Sequence, residues 1–298
     1  MSEVGRTVGV VGLGSMGFGM AKSLIEKEFQ VIGFDLSPER SQAVAALGGR
    51  AAPSLGDVFA AADFIVFSLP TARDVESVVS ANLDALGKRR GTRVVIIDTS
   101  TSEPAVSRAL AAKLDGLGIG FLDAPVSGGP SGAATGKLAI MIGGSPEDVA
   151  LARPVIEAMA AKILHVGASG AGNIAKLVNN LLVAAHMLTT AEGLKLAAAA
   201  GLDPEAALGV LNAASGKSFL SEVHFPTWIL SDRFDSGFSM GLMRKDVRLA
   251  RELADQVGAK LPVTEFVGEL WAASKERLAD SDDFTRMGAV AEGKPKDA

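Results

Sequence analysis

The sequence predicts an α/β domain built on a mostly parallel, doubly wound sheet, followed by an all-α C-terminal domain joined to it through a long interdomain helix. Three observations carry this. Short β-branched runs alternate with Ala-rich helical stretches through the first half, the pattern of strands separated by crossover helices. Beyond about Gly172 no comparable strand run occurs. Residues 173–200 then read as one long helix, closed by Gly201-Leu202-Asp203-Pro204, a glycine stop followed by an Asp cap and a Pro start.

Taken in order, strands are expected at residues 7–11, 31–34, 64–69, 94–98, 120–123, 138–142 and 163–166, with helices between most of them, the first over 18–27. Further helices are expected at about 204–214, 219–230, 240–257 and 262–278. The Gly-rich run from Gly167 to Gly172 sets the boundary, giving domains 1–168 and 169–298, the second completing the substrate cleft and an oligomer interface. The tail from about Ala289 is small, polar and charged, the composition of a frayed end. No internal repeat is evident.

Composition narrows the chemistry. The 298 residues suffice for two domains. A net charge of -5 offers no basic surface, so nucleic-acid binding is not expected. Residues 1–7 carry no apolar targeting segment, and the weakly apolar stretch 181–201 is interrupted by His186, Glu192 and Lys195, so neither membrane association nor export is expected and the location is cytoplasmic. There is no Cys and no Tyr. That excludes thiol nucleophiles, Cys-ligated zinc and tyrosine-dependent reductases. Three His, at 165, 186 and 224, are too scattered for a metal motif or a triad, and no metal is expected. His224, before Phe225-Pro226, reads as a packed or capping residue; His165 and His186 read as structural. Any proton-transfer catalyst is therefore a Lys, a carboxylate or one isolated His.

Gly12-Leu13-Gly14-Ser15-Met16-Gly17 places G-x-G-x-x-G directly after an apolar strand and before a helical stretch. In that context it is a dinucleotide fingerprint: Gly12 for the tight turn, Gly14 for close approach to a pyrophosphate, Gly17 for helix-to-sheet packing. Asp35, at the end of the next expected strand, can accept both ribose hydroxyls and would repel a 2′-phosphate, favouring NAD over NADP despite nearby Arg40. This makes the first domain a Rossmann domain. Two further turns at strand carboxyl ends, Ser68-Leu69-Pro70-Thr71 and Asp98-Thr99-Ser100-Thr101, are either cofactor contacts or plain turn and cap residues. Ser127, Gly128 and Gly129, in Asp123-Ala124-Pro125-Val126-Ser127-Gly128-Gly129-Pro130, offer donors for a carboxylate, or form only a surface loop. Lys176 and Asn180 lie four residues apart on one helix face, near the expected domain junction; they are either a cleft-lining pair or solvated surface. Lys245-Asp246, among Arg244, Arg248 and Arg251, is either a solvated face or a source of a cation for the cofactor.

At these residues the sequence resembles the β-hydroxyacid dehydrogenase family, in its 3-hydroxyisobutyrate dehydrogenase-like branch, which is related to tartronate semialdehyde reductase and 6-phosphogluconate dehydrogenase. Four motifs occur in order: Gly12 to Gly17 with Met20-Ala21, Asp123 to Gly129, Gly167 to Asn180 ending in Lys176-Leu177-Val178-Asn179-Asn180, and Lys245-Asp246. The resemblance covers nearly the whole chain. It implies NAD-dependent interconversion of a small β-hydroxyacid, or a hydroxysulfonate analogue, with its semialdehyde or ketone. It further implies Lys176 as general acid/base, carboxylate binding at Ser127, Gly128 and Gly129, substrate contact from Asn180, and cofactor contacts from Leu69, Pro70, Thr101 and Lys245. The long apolar helix itself points to burial against a second subunit or against the C-terminal helices, and a homodimer or homotetramer is expected. Two positions depart from the family pattern: Ser23, where Asn is frequent, and Ser218-Phe219, where the 3-hydroxyisobutyrate branch carries Trp. Imine reductases share the architecture but typically replace the lysine, and a catalytically silent NAD-binding reader is the other alternative.

Overall fold

The computed structural model describes residues 6–87 and 93–289, so the tail from residue 290 lies outside the described residues. The chain forms two compact units, Met1–Lys176 and Leu177–Ala298.

In the first unit, strands and helices alternate as β1 Thr7–Val11, α1 Ser15–Glu26, β2 Gln30–Phe34, α2 Pro38–Ala46, β3 Arg50–Ala51, α3 Leu55–Ala61, β4 Phe64–Phe67, α4 Ala72–Ala81, α5 Leu83–Gly87, β5 Val95–Asp98, α6 Pro104–Asp115 and β6 Gly120–Asp123. Then follow β7 Val126–Ser127, α7 Gly129–Ala134, β8 Leu138–Gly143, α8 Pro146–Met159, β9 Ala160–Gly167 and α9 Ala171–Ala199, whose first residues close this unit. Among the described residues the sheet order is β3-β2-β1-β4-β5-β6-β8-β7, with β9 paired to β8. All pairings from β3 to β6 are parallel; β8 runs antiparallel to β6 and β7 and parallel to β9.

The central strands β1, β4, β5 and β6 are buried on both faces because they are apolar at nearly every position. Val8, Val10, Phe64, Val66, Val95 and Ile97 meet Met20 and Leu24 of α1 and Val155, Ile156 and Met159 of α8. The alternate residues Val11, Ile65, Phe67 and Ile96 meet Val58 and Phe59 of α3, Val75 and Val79 of α4 and Leu110 and Leu114 of α6. That alternation is the period-two geometry of strands covered by helices on each side. The Ser23 hydroxyl donates to the Ala133 carbonyl at 2.7 Å in this core, tying α1 to α7, so its departure from Asn is absorbed in helix packing.

Several expectations are adjusted. The strand expected at 64–69 stops at Phe67, because Leu69 precedes a proline and its N–H leaves the ladder for the Ser100 hydroxyl. The strand expected at 163–166 runs from Ala160, drawn out by pairing with β8 through two register shifts. The two-residue strands β3 and β7 carry too little pattern to read from sequence.

The second unit is helical: the rest of α9, α10 Pro204–Ala213, α11 Met240–Gln256 and α12 Pro262–Ala273, with short 3₁₀ turns at Ser274–Glu276 and Phe284–Gly288. The helix expected at 219–230 is a π-helix, Leu220–Ile229, and carries Pro226 inside it. The stretch expected as one helix over 262–278 leaves α-geometry after Ala273. Ala184, Met187, Ala191 and Leu194, three or four residues apart along α9, enter the core with Phe225, Met243, Val247 and Trp271. By length and composition α9 could also cross a membrane. Its buried polar Asn173, Lys176 and Asn180, and the core role of its later turns, are the setting of a core helix instead.

His224 sits edge-on to Phe219, Trp228 and Phe284, with ring centroids 4.8 to 5.5 Å apart, the packed histidine the sequence indicates. Burial pushes its pKa down from 6.5 to about 4, against opposing pulls from Asp283 and the Phe219 backbone. The unfolded chain therefore takes up this proton first as pH falls, and stability drains away between about pH 6.5 and 4, by at most roughly 3 kcal/mol. Denaturant midpoints at pH 7 and pH 4.5 should show a larger acid loss for wild type than for His224→Phe. Equal losses would remove His224 from the account.

Candidate functional site

The parallel register of the central strands sets the site. Val11 of β1 is level with Phe67 of β4, Phe67 with Asp98 of β5, and Asp98 with Asp123 of β6. The turns that follow these residues therefore open along one edge, the carboxyl ends where doubly wound sheets hold ligands.

At the first turn, Gly12 has φ 86°, and a side chain there would collide with the Ser68 carbonyl oxygen; one on Gly17 would collide with the Gly12 carbonyl. At Gly14 a Cβ would meet nothing within 4 Å. Two of the glycines are thus explained by the fold, while Gly14 borders open space at the start of α1. Gly14 is the N-cap, no side chain caps α1, and no acidic residue occupies its first turn. The N–H groups around Ser15, Met16 and Gly17 form the positive end of a helix dipole, suited to a pyrophosphate. The Leu13 N–H donates to Asp35 Oδ2 at 2.7 Å and the Ser37 N–H to Oδ1 at 2.9 Å, which holds the carboxylate beside the glycine turn. Arg40 stands 3.7 Å from Oδ2, more than half exposed. These residues fit a dinucleotide.

Leu69 closes the same turn. Its N–H donates to the Ser100 hydroxyl at 3.0 Å, and Ser100 N–H donates to the buried Asp98 carboxylate at 3.0 Å. Ser100 is therefore a brace between two strand-end turns, with Pro70 and Thr101 beside it. Thr71 caps α4 in a reciprocal pair with Asp74, so the second half of that turn is a helix start.

Ser127 is not in a loop: it pairs with Ala139 at the end of β7. Gly128 (φ 125°) and Gly129 (φ 62°) then turn the chain through left-handed geometry into α7. The glycines thus terminate a strand at a fixed place, with Gly128 exposed.

Lys176 is buried, 8% exposed, and so is Asn180, 4% exposed; neither is a solvated helix residue. Their helix begins at the end of β6. Asp123, fully buried, accepts the Gly170 N–H at 2.7 Å and the Asn173 N–H at 2.9 Å. Asn173, also fully buried, accepts the Ser102 N–H at its Oδ1 and donates from Nδ2 to the Ser107 hydroxyl, at 2.9 and 3.0 Å. Burial pushes the Asp123 pKa up, opposed by the N–H donors of Gly170, Asn173 and Gly172.

In the second unit, Asn180 Nδ2 donates to Asp246 Oδ2 at 2.6 Å, and Asn179 Nδ2 donates to Asn180 Oδ1 at 3.1 Å. Asp246 is buried on α11, with Lys245 Nζ 3.5 Å from its Oδ1. Lys245 is itself mostly buried, so the Lys245-Asp246 pair does not belong to the solvated face of α11. Sequence reasoning assigned no part to Asp123, Asn173 or Asp246. All three sit inside the quoted motifs; for Asp123 the signal was a carboxylate between an apolar strand and a glycine-rich turn, whereas Asp246 lies in a charged run that gives no such signal. Among the described residues no group of three His, Asp or Glu could hold a metal ion.

Comparison with known proteins follows the same division. The family described as the NAD binding domain of 6-phosphogluconate dehydrogenase matches residues 7–167. The family described as NAD-binding of NADP-dependent 3-hydroxyisobutyrate dehydrogenase matches 170–291. A 2-(hydroxymethyl)glutarate dehydrogenase of Eubacterium barkeri is 36% identical over 281 residues, covering 94% of this chain and 93% of the relative. The mitochondrial 3-hydroxyisobutyrate dehydrogenase of Homo sapiens is 36% identical over 287 residues, covering 94% and 85%. Among solved structures, a Mycobacterium tuberculosis 3-hydroxyisobutyrate dehydrogenase with L-serine superposes with a TM-score of 0.86 at 34% identity, covering 96% of this chain and 97% of that one.

The open space at Gly14 yields a test. Gly14→Ala should leave the thermal midpoint within about 2 °C while weakening NAD binding at least tenfold, read by quenching of the intrinsic tryptophan fluorescence. Unchanged NAD affinity would move the pyrophosphate elsewhere.

Proposed function

Because the chain belongs to the β-hydroxyacid dehydrogenase family, an NAD-binding oxidoreductase family, we propose that it oxidises primary β-hydroxy carboxylates of the form HOCH₂–CH(R)–COO⁻ to their semialdehydes, reversibly. The two relatives' named substrates and the L-serine held by the mycobacterial enzyme share that skeleton and differ only in R. The observation that carries the reading is Lys176: a buried lysine whose helix starts at the same sheet edge as the dinucleotide turn.

When bound, NAD supplies the hydride acceptor. The chain's own residues do the rest. Lys176 Nζ takes the hydroxyl proton as the C–H bond gives up its hydride, and returns it in the reverse direction. One hydrogen of the Asn180 amide is committed to Asp246, which leaves the other for the substrate oxygen. The Ser127 hydroxyl and the N–H groups of Gly128 and Gly129 hold the carboxylate, which fixes the carbon to be oxidised relative to Lys176. Leu69, Pro70, Thr101 and Lys245 complete the cofactor's surroundings. Asp35, braced by two N–H donors beside the glycine turn, takes the adenosine ribose and disfavours a 2′-phosphate.

The protein works in the cytoplasm as a homodimer or homotetramer. Val178 and Leu182 of α9, Val210 of α10, and Val263 and Phe266 of α12, all on the helical unit, are large apolar side chains more than half exposed, which supports a covering second copy.

NADH formation should be seen with at least one of 3-hydroxyisobutyrate, 2-(hydroxymethyl)glutarate, L-serine or a hydroxysulfonate analogue. Lys176→Met should lower kcat at least 10³-fold while NAD affinity stays within threefold. A Lys176→Met enzyme with a tenth of wild-type kcat would remove the acid/base role. Turnover of a cyclic imine with NADH, and of no hydroxyacid, would favour an imine reductase; NAD binding with no turnover at all would favour a silent reader.

A further inference from the structure

We infer that Asp123, acting through Asn173, is a positioning residue that fixes the depth and rotation of the first turns of α9 and thereby the place of Lys176; this rests on the reading of Lys176 as acid/base. Three constraints of different kinds meet there. Asp123 receives two of the N–H groups that a helix start leaves unpaired, those of Gly170 and Asn173. Asn173 is locked in turn to the loop after β5 through the Ser102 N–H and to α6 through the Ser107 hydroxyl. Finally, the helix start abuts bare backbone. A side chain on Gly172 would strike the Asp123 and Met141 carbonyl oxygens, and one on Gly143 would strike Asp123 Oδ1 and the Ala168 carbonyl. With Asn173 fixed in three bonds, Lys176 follows one turn later on a rigid helix, its rotation set by the intervening residues.

Stability does not explain this carboxylate. Burial raises its pKa, and a carboxyl group whose folded pKa lies above its unfolded value is most favourable to the fold at low pH and becomes less so as pH rises through that window. An uncharged cap from within the chain would serve helix stability without that penalty, as the hydroxyls of Ser54, Ser145 and Ser239 cap their own helices. What Asp123 alone provides is two acceptors on one rigid fork, reaching from the sheet to two successive points of the helix. Asn in its place offers one acceptor and turns an amide hydrogen toward the other N–H.

The test uses the full chain with 3-hydroxyisobutyrate and 2-(hydroxymethyl)glutarate as probes, comparing Asp123→Asn, Lys176→Met and the double variant. Asp123→Asn should lower kcat at least 30-fold with KM and NAD affinity within threefold. Because Asp123 works through Lys176, the double variant should fall no lower than Lys176→Met alone. A cap that serves only stability would lower the thermal midpoint and leave kcat per NAD-binding site untouched, which overturns the proposal. An additive double variant also overturns it. Asp123→Asn at wild-type kcat beside an inactive Lys176→Met sinks the positioning role alone, whereas an active Lys176→Met sinks the acid/base reading beneath it. Should Asp123→Asn fail to fold, Asn173→Ala, which keeps both N–H donors to Asp123, carries the same expectation, and its unchanged kcat would overturn the proposal.

Discussion

The in-register parallel pairing of β1, β4, β5 and β6 is the constraint on which the first unit depends. It is imposed by strands apolar on both faces, which have no solvent side on which to slip. Once Val11, Phe67, Asp98 and Asp123 are level, every chemically distinctive turn lies on one edge: the glycine turn, the Leu69 turn braced by Ser100, and the Asp123 clasp that receives α9. The polar residues at that edge are buried yet bonded to backbone N–H groups, so they hold orientation without solvent.

Glycine serves two separate purposes along this edge. At Gly12, Gly17, Gly143 and Gly172 the neighbouring backbone has already taken the volume of a side chain, so these residues are required for folding. At Gly14 the volume is empty, and the requirement comes from something outside the chain. Separating the two kinds identifies the dinucleotide turn more sharply than the G-x-G-x-x-G spacing, which does not distinguish them.

Much of this was legible in the sequence. Thr7–Val11 and Gly120–Asp123 are strands at the expected limits, and α9 lies within two residues of expectation, because long apolar periodicity and clear Gly and Pro stops dominate local structure there. Elements shorter than a period were not legible: two-residue β3 and β7 exist only through their neighbours. The π-helix at Leu220–Ile229 was read as an ordinary helix because its apolar content is helical while its hydrogen-bond register is set by packing. At the site, the alternatives left open for Lys176 and Asn180 turned on burial, which spacing on a helix does not encode. Asp123, Asn173 and Asp246 escaped because their partners are 47 to 71 residues away in the chain or, for Asn180 with Asp246, 66. Pairings of that separation are created by the fold alone.

The account stands on hydride leaving the carbon beside the hydroxyl for the cofactor while Lys176 takes the proton. The direct measurement is isotope transfer: wild-type enzyme, NAD, and 3-hydroxyisobutyrate and 2-(hydroxymethyl)glutarate carrying deuterium on the CH₂OH carbon, with the nicotinamide product examined by NMR. The account predicts deuterium at nicotinamide C4, on one face only, and a semialdehyde that keeps the second deuterium. Semialdehyde formed without deuterium in the cofactor, or protium at C4 drawn from solvent, would contradict it.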